Sequence, residues 1–261
     1  MNRLFLDCNM GAAGDMIAGA LIALIDDKEA FMERFNNAGI PGVMATLIPD
    51  KKCDISCWHF HVDVNGQVEE SIDVTESEAR KLGEHISKAH IASHHHTSMS
   101  DIIRIINSLV ISASVKNHVI NIYKLIAAAE GKAHGCEVSD IHFHEVGRLD
   151  AIADILACAM AIEELGVTDI FSSTVNVGLG KVKCAHGILD VPAPATGFLL
   201  EGIPTTTGRF EGEMCTPTGA AVLKYFCKEF VDLPVVTVLK EGYGSGRKNF
   251  EEPNVVKAIL A

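Results

Sequence analysis

Leu4-Phe5-Leu6-Asp7-Cys8-Asn9-Met10-Gly11-Ala12-Ala13-Gly14-Asp15, running straight into the apolar stretch Met16 to Ile25, decides how this chain begins to fold. Three apolar residues ending at an aspartate read as a short buried strand. Two glycines and an aspartate then make a tight turn, and the run behind them has the continuity of a helix. Strand, glycine loop and helix place the fold in the α/β class, as a mixed α+β arrangement. The apolar stretch is only ten residues long, and Asp7 and Asp15 interrupt the segment before it. It is therefore neither a membrane span nor a signal peptide.

Working outward, the spacing predicts a helix over Glu29 to Asn37 that stops at Gly39-Ile40-Pro41, then two extended stretches, Val43 to Ile48 and Ile55 to Val64. From Thr75 to Gly135 the pattern turns helical, with helices expected at Glu76 to His90, Asp101 to Val110 and Val115 to His134. That makes a helical subdomain over 75–135 inside a single region, 1–261. Ser93 to Ser100 reads as a polar loop closed by a cap at Ser100. Asp150 opens a helix running to Leu165, with Gly166 at its end. Strand-like Ile170 to Val177 leads through a Gly178-Leu179-Gly180 turn to Val191-Pro192-Ala193-Pro194, an edge or rigid loop, and to a short helix closing at Gly202-Ile203-Pro204. Thr216-Pro217-Thr218-Gly219 suits the first turn of a helix near Ala220 to Glu229. Val235 to Leu239 and Val255 to Leu260 read as the strands that close a mixed sheet.

The 261 residues are 48% hydrophobic and 21% charged, and 34 acidic against 22 basic side chains leave a net charge of -12. A chain of this size buries enough surface to need no staples. Its negative charge, with no basic stripe, argues against nucleic acid and anionic lipid as partners. Eight cysteines without a Cys-x-x-Cys pair or a zinc-ribbon spacing fit reduced thiols in a cytoplasmic protein, packed mostly as small hydrophobes.

Seven of the twelve histidines fall in three clusters, His59 and His61, His94 to His96, and His142 and His144. In an extended segment, side chains alternate faces, so His142 and His144 reach the same side and can share an ion, with Glu145 and Glu130 near in sequence. Imidazole suits zinc, nickel, copper and iron alike. The alternative is that the pair hydrogen-bonds the backbone. His94, His95 and His96 form a weak metal-capturing loop or a solvated one, with at most two of them binding together. His59 and His61 pass the same period-two test, but Trp58 and Phe60 on the other face make an ordinary half-buried strand with its histidines outward. Glu130 and His134 share a helix face.

Carboxylates and free backbone N–H groups meet where the first strand hands over to its helix, at Asp7, Gly11, Gly14 and Asp15. Such a corner can hold a phosphate or a metal, or be a structural turn with Asp15 as the cap. Neither the Gly-x-x-x-x-Gly-Lys nor the Gly-x-Gly-x-x-Gly spacing is present. Asp150 and Asp154 again face together. Gly242, Gly244 and Gly246 before Arg247 and Lys248 read as a second flexible loop whose cations can hold a phosphate.

In order along the chain stand Leu6-Asp7-Cys8 with Gly11 and Gly14-Asp15-Met16, and Ile141-His142-Phe143-His144-Glu145-Val146-Gly147. Ala185-His186-Gly187 with Val191-Pro192-Ala193-Pro194-Ala195-Thr196, Thr216-Pro217-Thr218-Gly219-Ala220-Ala221, Gly242-Tyr243-Gly244 and Pro253-Asn254-Val255 follow. Taken together they resemble the LarC family over nearly the whole chain. The resemblance implies insertion of Ni2+ into pyridinium-3,5-bisthiocarboxylic acid mononucleotide, the last step in making the nickel-pincer nucleotide cofactor of lactate racemase. That reaction is a cyclometallation, a lyase-class step that forms one nickel–carbon and two nickel–sulfur bonds and consumes cytidine triphosphate (CTP). The family's C-terminal domain, which binds CTP with Mn2+ or Mg2+, has no counterpart before Ala261. The likeness is to the N-terminal part, with the further domain separately encoded by frameshifting or missing. The run His94 to His96 is also shorter than the histidine runs of the family.

With that resemblance, His142, His144 and the His94 to His96 loop are expected to hold nickel. His144, Glu145 and Asp150 are expected to serve the chemistry, Glu145 as proton acceptor or ligand. Asp7, Gly11, Gly14, Asp15, Thr216, Thr218 and Arg247 are expected to bind the nucleotide. Expected partners are the mononucleotide, the C-terminal domain, the lactate racemase apoprotein and further copies of the chain. Two other classes compete: a nickel storage protein or metallochaperone, predicting several ions per chain, and a metal-dependent hydrolase, predicting turnover of esters or amides.

Overall fold

The computed structural model describes residues 3–66, 72–74, 97–138, 141–143, 148–184, 187–232 and 235–261. The chain runs β1 (Arg3–Asp7), α1 (Gly14–Ala23), α2 (Lys28–Asn37), β2 (Val43–Lys52), β3 (Ile55–Val64), β4 (Ile72–Val74), β5 (Thr97–Ser98), α3 (Met99–Ser108) and α4 (Ala113–His134). It continues through β6 (His142–Phe143), α5 (Leu149–Leu165), β7 (Asp169–Ser172), β8 (Val175–Asn176), β9 (Gly178–Leu179), β10 (Lys181–Cys184), β11 (Gly187–Asp190) and α6 (Pro194–Leu199). The last elements are β12 (Thr205–Thr206), β13 (Gly212–Glu213), α7 (Pro217–Phe226), β14 (Glu229–Phe230), β15 (Lys240–Ser245) and β16 (Val255–Leu260).

Seven strands form one mixed sheet in the order β14-β7-β1-β16-β15-β3-β2. β1 is buried because it is paired on both sides, parallel to β7 (Leu4 opposite Ile170) and antiparallel to β16 (Leu4 opposite Leu260). The mixed α and β architecture expected from the first residues is therefore present. The strand at Val255 to Leu260 is where its pattern placed it, next to the first strand of the chain.

Its neighbour is not. Val235 to Leu239 looks like a strand by composition, yet Val235 is fully exposed and the strand is β15, beginning at Lys240. Gly242 and Gly244 are thus strand residues rather than a flexible loop. They are glycine because α1 lies directly on them: a β-carbon at Gly244 would stand 1.9 Å from the Met16 carbonyl oxygen, and one at Gly242 2.5 Å from that of Ala20. Glycine inside a strand marks close approach of another backbone. All of α1 from Gly14 to Ile22 except Asp15 is buried, which makes it the central helix of the core, packed between the sheet and α5.

Other boundaries shift for local reasons. β2 runs on past Ile48 to Lys52 and tolerates Pro49 because it is an edge strand, paired on one side only. The cap of α3 is Ser98, not Ser100. Ser98 Oγ accepts from the Asp101 N–H at 3.2 Å while the Asp101 carboxylate accepts from the Ser98 N–H at 3.1 Å, a reciprocal box that starts the helix at Met99. The stretch Ile170 to Val177 divides into β7, paired with β1, and β8, which pairs instead with β12. α7 ends at Phe226, and Glu229 and Phe230 go to the sheet edge.

α4 ends at His134 with Gly135 in the left-handed conformation (φ 65°), and α5 likewise at Gly166 (φ 63°). α4 packs against α5, α6 and α7, in the same core as α1. The helix expected over Glu76 to His90 lies outside the described residues. Among the described residues no helix is long and apolar enough to cross a membrane.

Candidate functional site

Two stretches 200 residues apart in sequence are tied together by their backbones. The Ala12 N–H donates to the Met214 carbonyl at 2.9 Å, and the Thr216 N–H donates to the Ala12 carbonyl at 3.1 Å. Gly11, at φ 95°, makes this approach, for a side chain there would strike the Met214 carbonyl. As a result the N-termini of α1 and α7 lie side by side. Thr216 caps α7 by accepting from the Gly219 N–H at 3.2 Å, with Pro217 in the first turn, as its sequence predicted. α1 has no side-chain cap: its N-cap is Ala13, and Asp15 sits in the first turn with Oδ1 accepting from the Met16 N–H at 2.8 Å.

These two helix ends open into a cavity of about 440 Å³. Gly14, Asp15, Thr216, Thr218, Arg247 and Asp150, all singled out from the sequence, line it. Asp154 does too, four residues after Asp150 on the same face of α5. Asp7 and Gly11 do not. Asp7 accepts from the Asn9 N–H at 3.0 Å and shapes the turn behind the cavity, so these two residues build the corner without facing its space.

The cavity is acidic at its floor. Burial pushes the Asp154 carboxyl well above the usual carboxylate range, and the nearby charges of Asp15 and Asp150 push it further, against a pull from Arg247 and from the Asp15 backbone N–H. Asp15 is raised by burial as well, with His59 and Arg247 opposing. Behind them, burial raises the phenol of Tyr123 and the thiol of Cys158, with Asp150 and Asp154 adding to the first and Asp154 and Asp15 to the second. A pair of carboxylates held so that both do not readily ionise is a common device of acid–base sites.

The loop between β15 and β16 carries two of the cations that line the cavity, Arg247 and Lys248, and Arg148, just before α5, is a third. Lys248 lines the cavity with its charge already engaged, its Nζ 2.6 Å from Asp73 Oδ2 and donating to the Glu213 carbonyl at 2.7 Å. Arg247 is the cation whose charge reaches both Asp15 and Asp154. Its loop is held by two residues that sequence reasoning passed over or read only as part of a motif. Lys52, only 8% exposed, donates to Asn249 Oδ1 at 2.7 Å and reaches the Arg247 and Lys248 carbonyls at 3.5 and 3.4 Å. Asn254 donates to the Lys248 carbonyl at 3.0 Å. Nothing in the pair Lys51-Lys52 near a hairpin turn distinguishes Lys52 in the sequence; its burial is the signal.

His59 and His61 share a face of β3 with their rings 5.9 Å apart, and both are half-buried rather than directed into open solvent. His59 Nδ1 lies 3.1 Å from the Ser245 carbonyl, and its charge reaches Asp15. Burial lowers the pKa of His61, and the charges of His59 and Arg247 lower it further. Glu130 and His134 form the expected pair along α4, 3.5 Å apart.

His94, His95, His96, His144 and Glu145 lie outside the described residues, and of His142 only the backbone is described. That backbone is informative. β5 and β6 pair antiparallel, with Thr97 opposite Phe143 and Ser98 opposite His142. One strand follows His96 directly in sequence, and the other contains His142 and precedes His144 directly. Phe143 packs edge-on to Tyr123 at 6.1 Å, and Tyr123 senses both Asp150 and Asp154. The β5–β6 ladder therefore stands one aromatic layer from the cavity. Among the described residues, no three histidine, cysteine or carboxylate side chains converge to hold a metal.

Comparison with known proteins gives a consistent result. The profile of the family described as nickel insertion protein matches residues 4–261. The pyridinium-3,5-bisthiocarboxylic acid mononucleotide nickel insertion protein of Clostridium kluyveri is 39% identical over 260 residues, spanning 100% of this chain and 62% of its own length. Its namesake in Staphylococcus saprophyticus is 36% identical over 258 residues, 99% of this chain and 59% of the relative. The one in Geobacillus kaustophilus is 35% identical over 261 residues, 100% and 60% respectively. The chain thus spans about three fifths of the length of these relatives. No solved structure matches.

Proposed function

The chain belongs to the nickel insertion protein family, and from that premise we propose that it binds Ni2+ and pyridinium-3,5-bisthiocarboxylic acid mononucleotide and joins them. The observation that carries this reading is the single cavity into which Gly14 and Asp15, Asp150 and Asp154, Thr216 and Thr218, and Arg247 all project from separate stretches of sequence.

The ligand's chemistry fits that lining. A mononucleotide phosphate needs positive charge beside it, which Arg247 and the positive dipole ends of α1 and α7 supply. A cationic pyridinium ring needs negative charge beside it, which the aspartates provide. A Ni2+ ion to be passed on needs exchangeable nitrogen and oxygen ligands, a role we assign to His142, His144, Glu145 and the His94 to His96 loop. Here Ni2+ is a substrate, and a closed four-ligand site would hold it too well. The reaction is then a lyase-class cyclometallation. CTP with Mn2+ or Mg2+ is handled by a C-terminal domain like that of the LarC family, and the finished cofactor passes to lactate racemase. Assembly of several copies and a cytoplasmic setting complete the reading.

A storage protein or a metallochaperone has no use for a nucleotide-sized cavity with a cation on one wall and acids on its floor. Binding of the mononucleotide without nickel, followed by calorimetry, tests the proposal. Micromolar affinity lost at least tenfold in Arg247→Ala supports it, and absence of binding removes it.

A further inference from the structure

Forming a nickel–carbon bond at the ring carbon between two thiocarboxylates releases a proton, and a positioned base speeds such a step. We propose that the Asp15 and Asp154 carboxylates, facing the cavity from the first turn of α1 and from α5, are the acceptor of that proton. This rests on the mononucleotide occupying the cavity.

Three structural relations carry it. First, both side chains line the cavity, from two helices that are packed on each other. Second, the approach is built in: Asp154 Oδ2 lies where a side chain on Gly14 would begin, 2.6 Å from that position, so Asp154 reaches the α1 terminus only because residue 14 is glycine. Third, the surroundings suit one proton between two carboxylates. His59 on β3 and Arg247 on the β15–β16 loop are the positive groups whose charges reach the pair, Asp150 adds a third negative charge, and the Asp15 and Met16 backbone N–H groups donate to it. Tyr123 and Cys158 close the apolar side. Two carboxylates in such a place keep one proton between them, leaving a carboxylate more basic than one on the surface.

The step balances without an oxidant or reductant. The electron pair of the ring C–H bond becomes the nickel–carbon bond, the proton moves to a carboxylate oxygen, and the two thiocarboxylate sulfurs complete the coordination. Nickel remains Ni2+ throughout. The protonated pair then releases its proton to water.

The test compares the full-length protein with Asp15→Asn, Asp154→Asn and the double variant in the presence of Ni2+, CTP and mononucleotide, read by absorbance of the nickel product. Mononucleotide affinity is measured on the same samples by calorimetry. Expected at saturating mononucleotide is a loss of insertion of about 100-fold or more in the double variant, in the range a general base contributes, well beyond whatever loss of mononucleotide affinity the calorimetry shows. The pH dependence of insertion is expected to lose its acidic limb. Mononucleotide deuterated at the reacting carbon should be slowed more in the variants than in the wild type. Insertion within threefold of the wild type at saturating mononucleotide overturns the assignment while leaving the cavity as the binding site. Failure of the wild type to bind the mononucleotide overturns the binding-site reading and this inference with it.

Discussion

Asp154 Oδ2 lies 2.6 Å from the position that a β-carbon on Gly14 would take. The same carbon would meet Asp154 Cβ at 2.7 Å and Thr218 Cγ2 at 2.9 Å. Both residues line the proposed site, so the glycine is there to bring α1, α5 and α7 to one point.

Gly14→Ala is accordingly expected to cost about 1–3 kcal/mol, the usual penalty for forcing atoms into a packed place, and to weaken mononucleotide binding at least tenfold. Urea unfolding and calorimetry measure the two effects. Pairing it with Asp154→Ala should recover part of the stability and none of the insertion activity; independent, additive losses would show that the contact is not the cause.

Asp154→Asn is expected to stabilise the protein at neutral pH. The folded state raises this carboxyl above its unfolded value, so its contribution is fully present below about pH 4, the ordinary aspartate range. That contribution is lost as pH climbs through the raised folded value. Removing the ionisation removes the loss. The variant's melting temperature should therefore exceed the wild type's by an amount that grows from pH 4 to pH 8. A gain that is flat or reversed across that window counts against the shift.

Lys52→Met is expected to loosen the β15–β16 loop without unfolding the sheet. It removes the donor to Asn249 and to the Arg247 and Lys248 carbonyls; these acceptors are only partly buried and can turn to water, so the cost is about 1 kcal/mol, the net worth of an ordinary hydrogen bond. Because Arg247 rides on that loop, mononucleotide affinity should fall about tenfold, equivalent to 1.4 kcal/mol. Unchanged affinity beside lowered stability would make Lys52 purely structural.

Thiol labelling checks the fold independently. Cys53 and Cys136 are exposed, whereas Cys8, Cys158 and Cys215 are buried, and burial pushes the Cys8 thiol up to about 12. Iodoacetamide needs a reachable thiolate, so the folded chain at pH 8 should modify at Cys53 and Cys136 first, with Cys8 reacting only after denaturation. Rapid labelling of Cys8, mapped by mass spectrometry, would contradict the burial of β1 and its turn.

Much of the architecture was legible because local chemistry decided it. Gly135 and Gly166 end their helices where the sequence puts them, Thr216 and Pro217 start theirs, and β1 follows from Leu4 to Leu6. Where the reading failed, a distant partner had overruled propensity. Val235 to Leu239 has the composition of a strand, yet Lys240 to Ser245 forms it, since only a glycine-bearing strand lets α1 lie so close. Ser98 takes the cap from Ser100 because Asp101 completes a box with it.

The candidate site divides along the same line. Sequence alone marked Gly14, Asp15, Asp150, Thr216, Thr218 and Arg247 as residues of interest, and the order of its motifs carried the resemblance to one family. What joined them was tertiary: two hydrogen bonds at Ala12, the pairing of Thr97 with Phe143, and Lys52 under the last loop. Such contacts cross up to 200 residues, and no short-range pattern encodes them. The same holds for charge. Asp154 is an ordinary helical aspartate until folding buries it beside Asp15, and Lys248 is an available cation until Asp73 takes it. Residue type set what each group can do; burial and neighbours, which exist only in the folded chain, decided which of them face the cavity and in which direction their acidities shift.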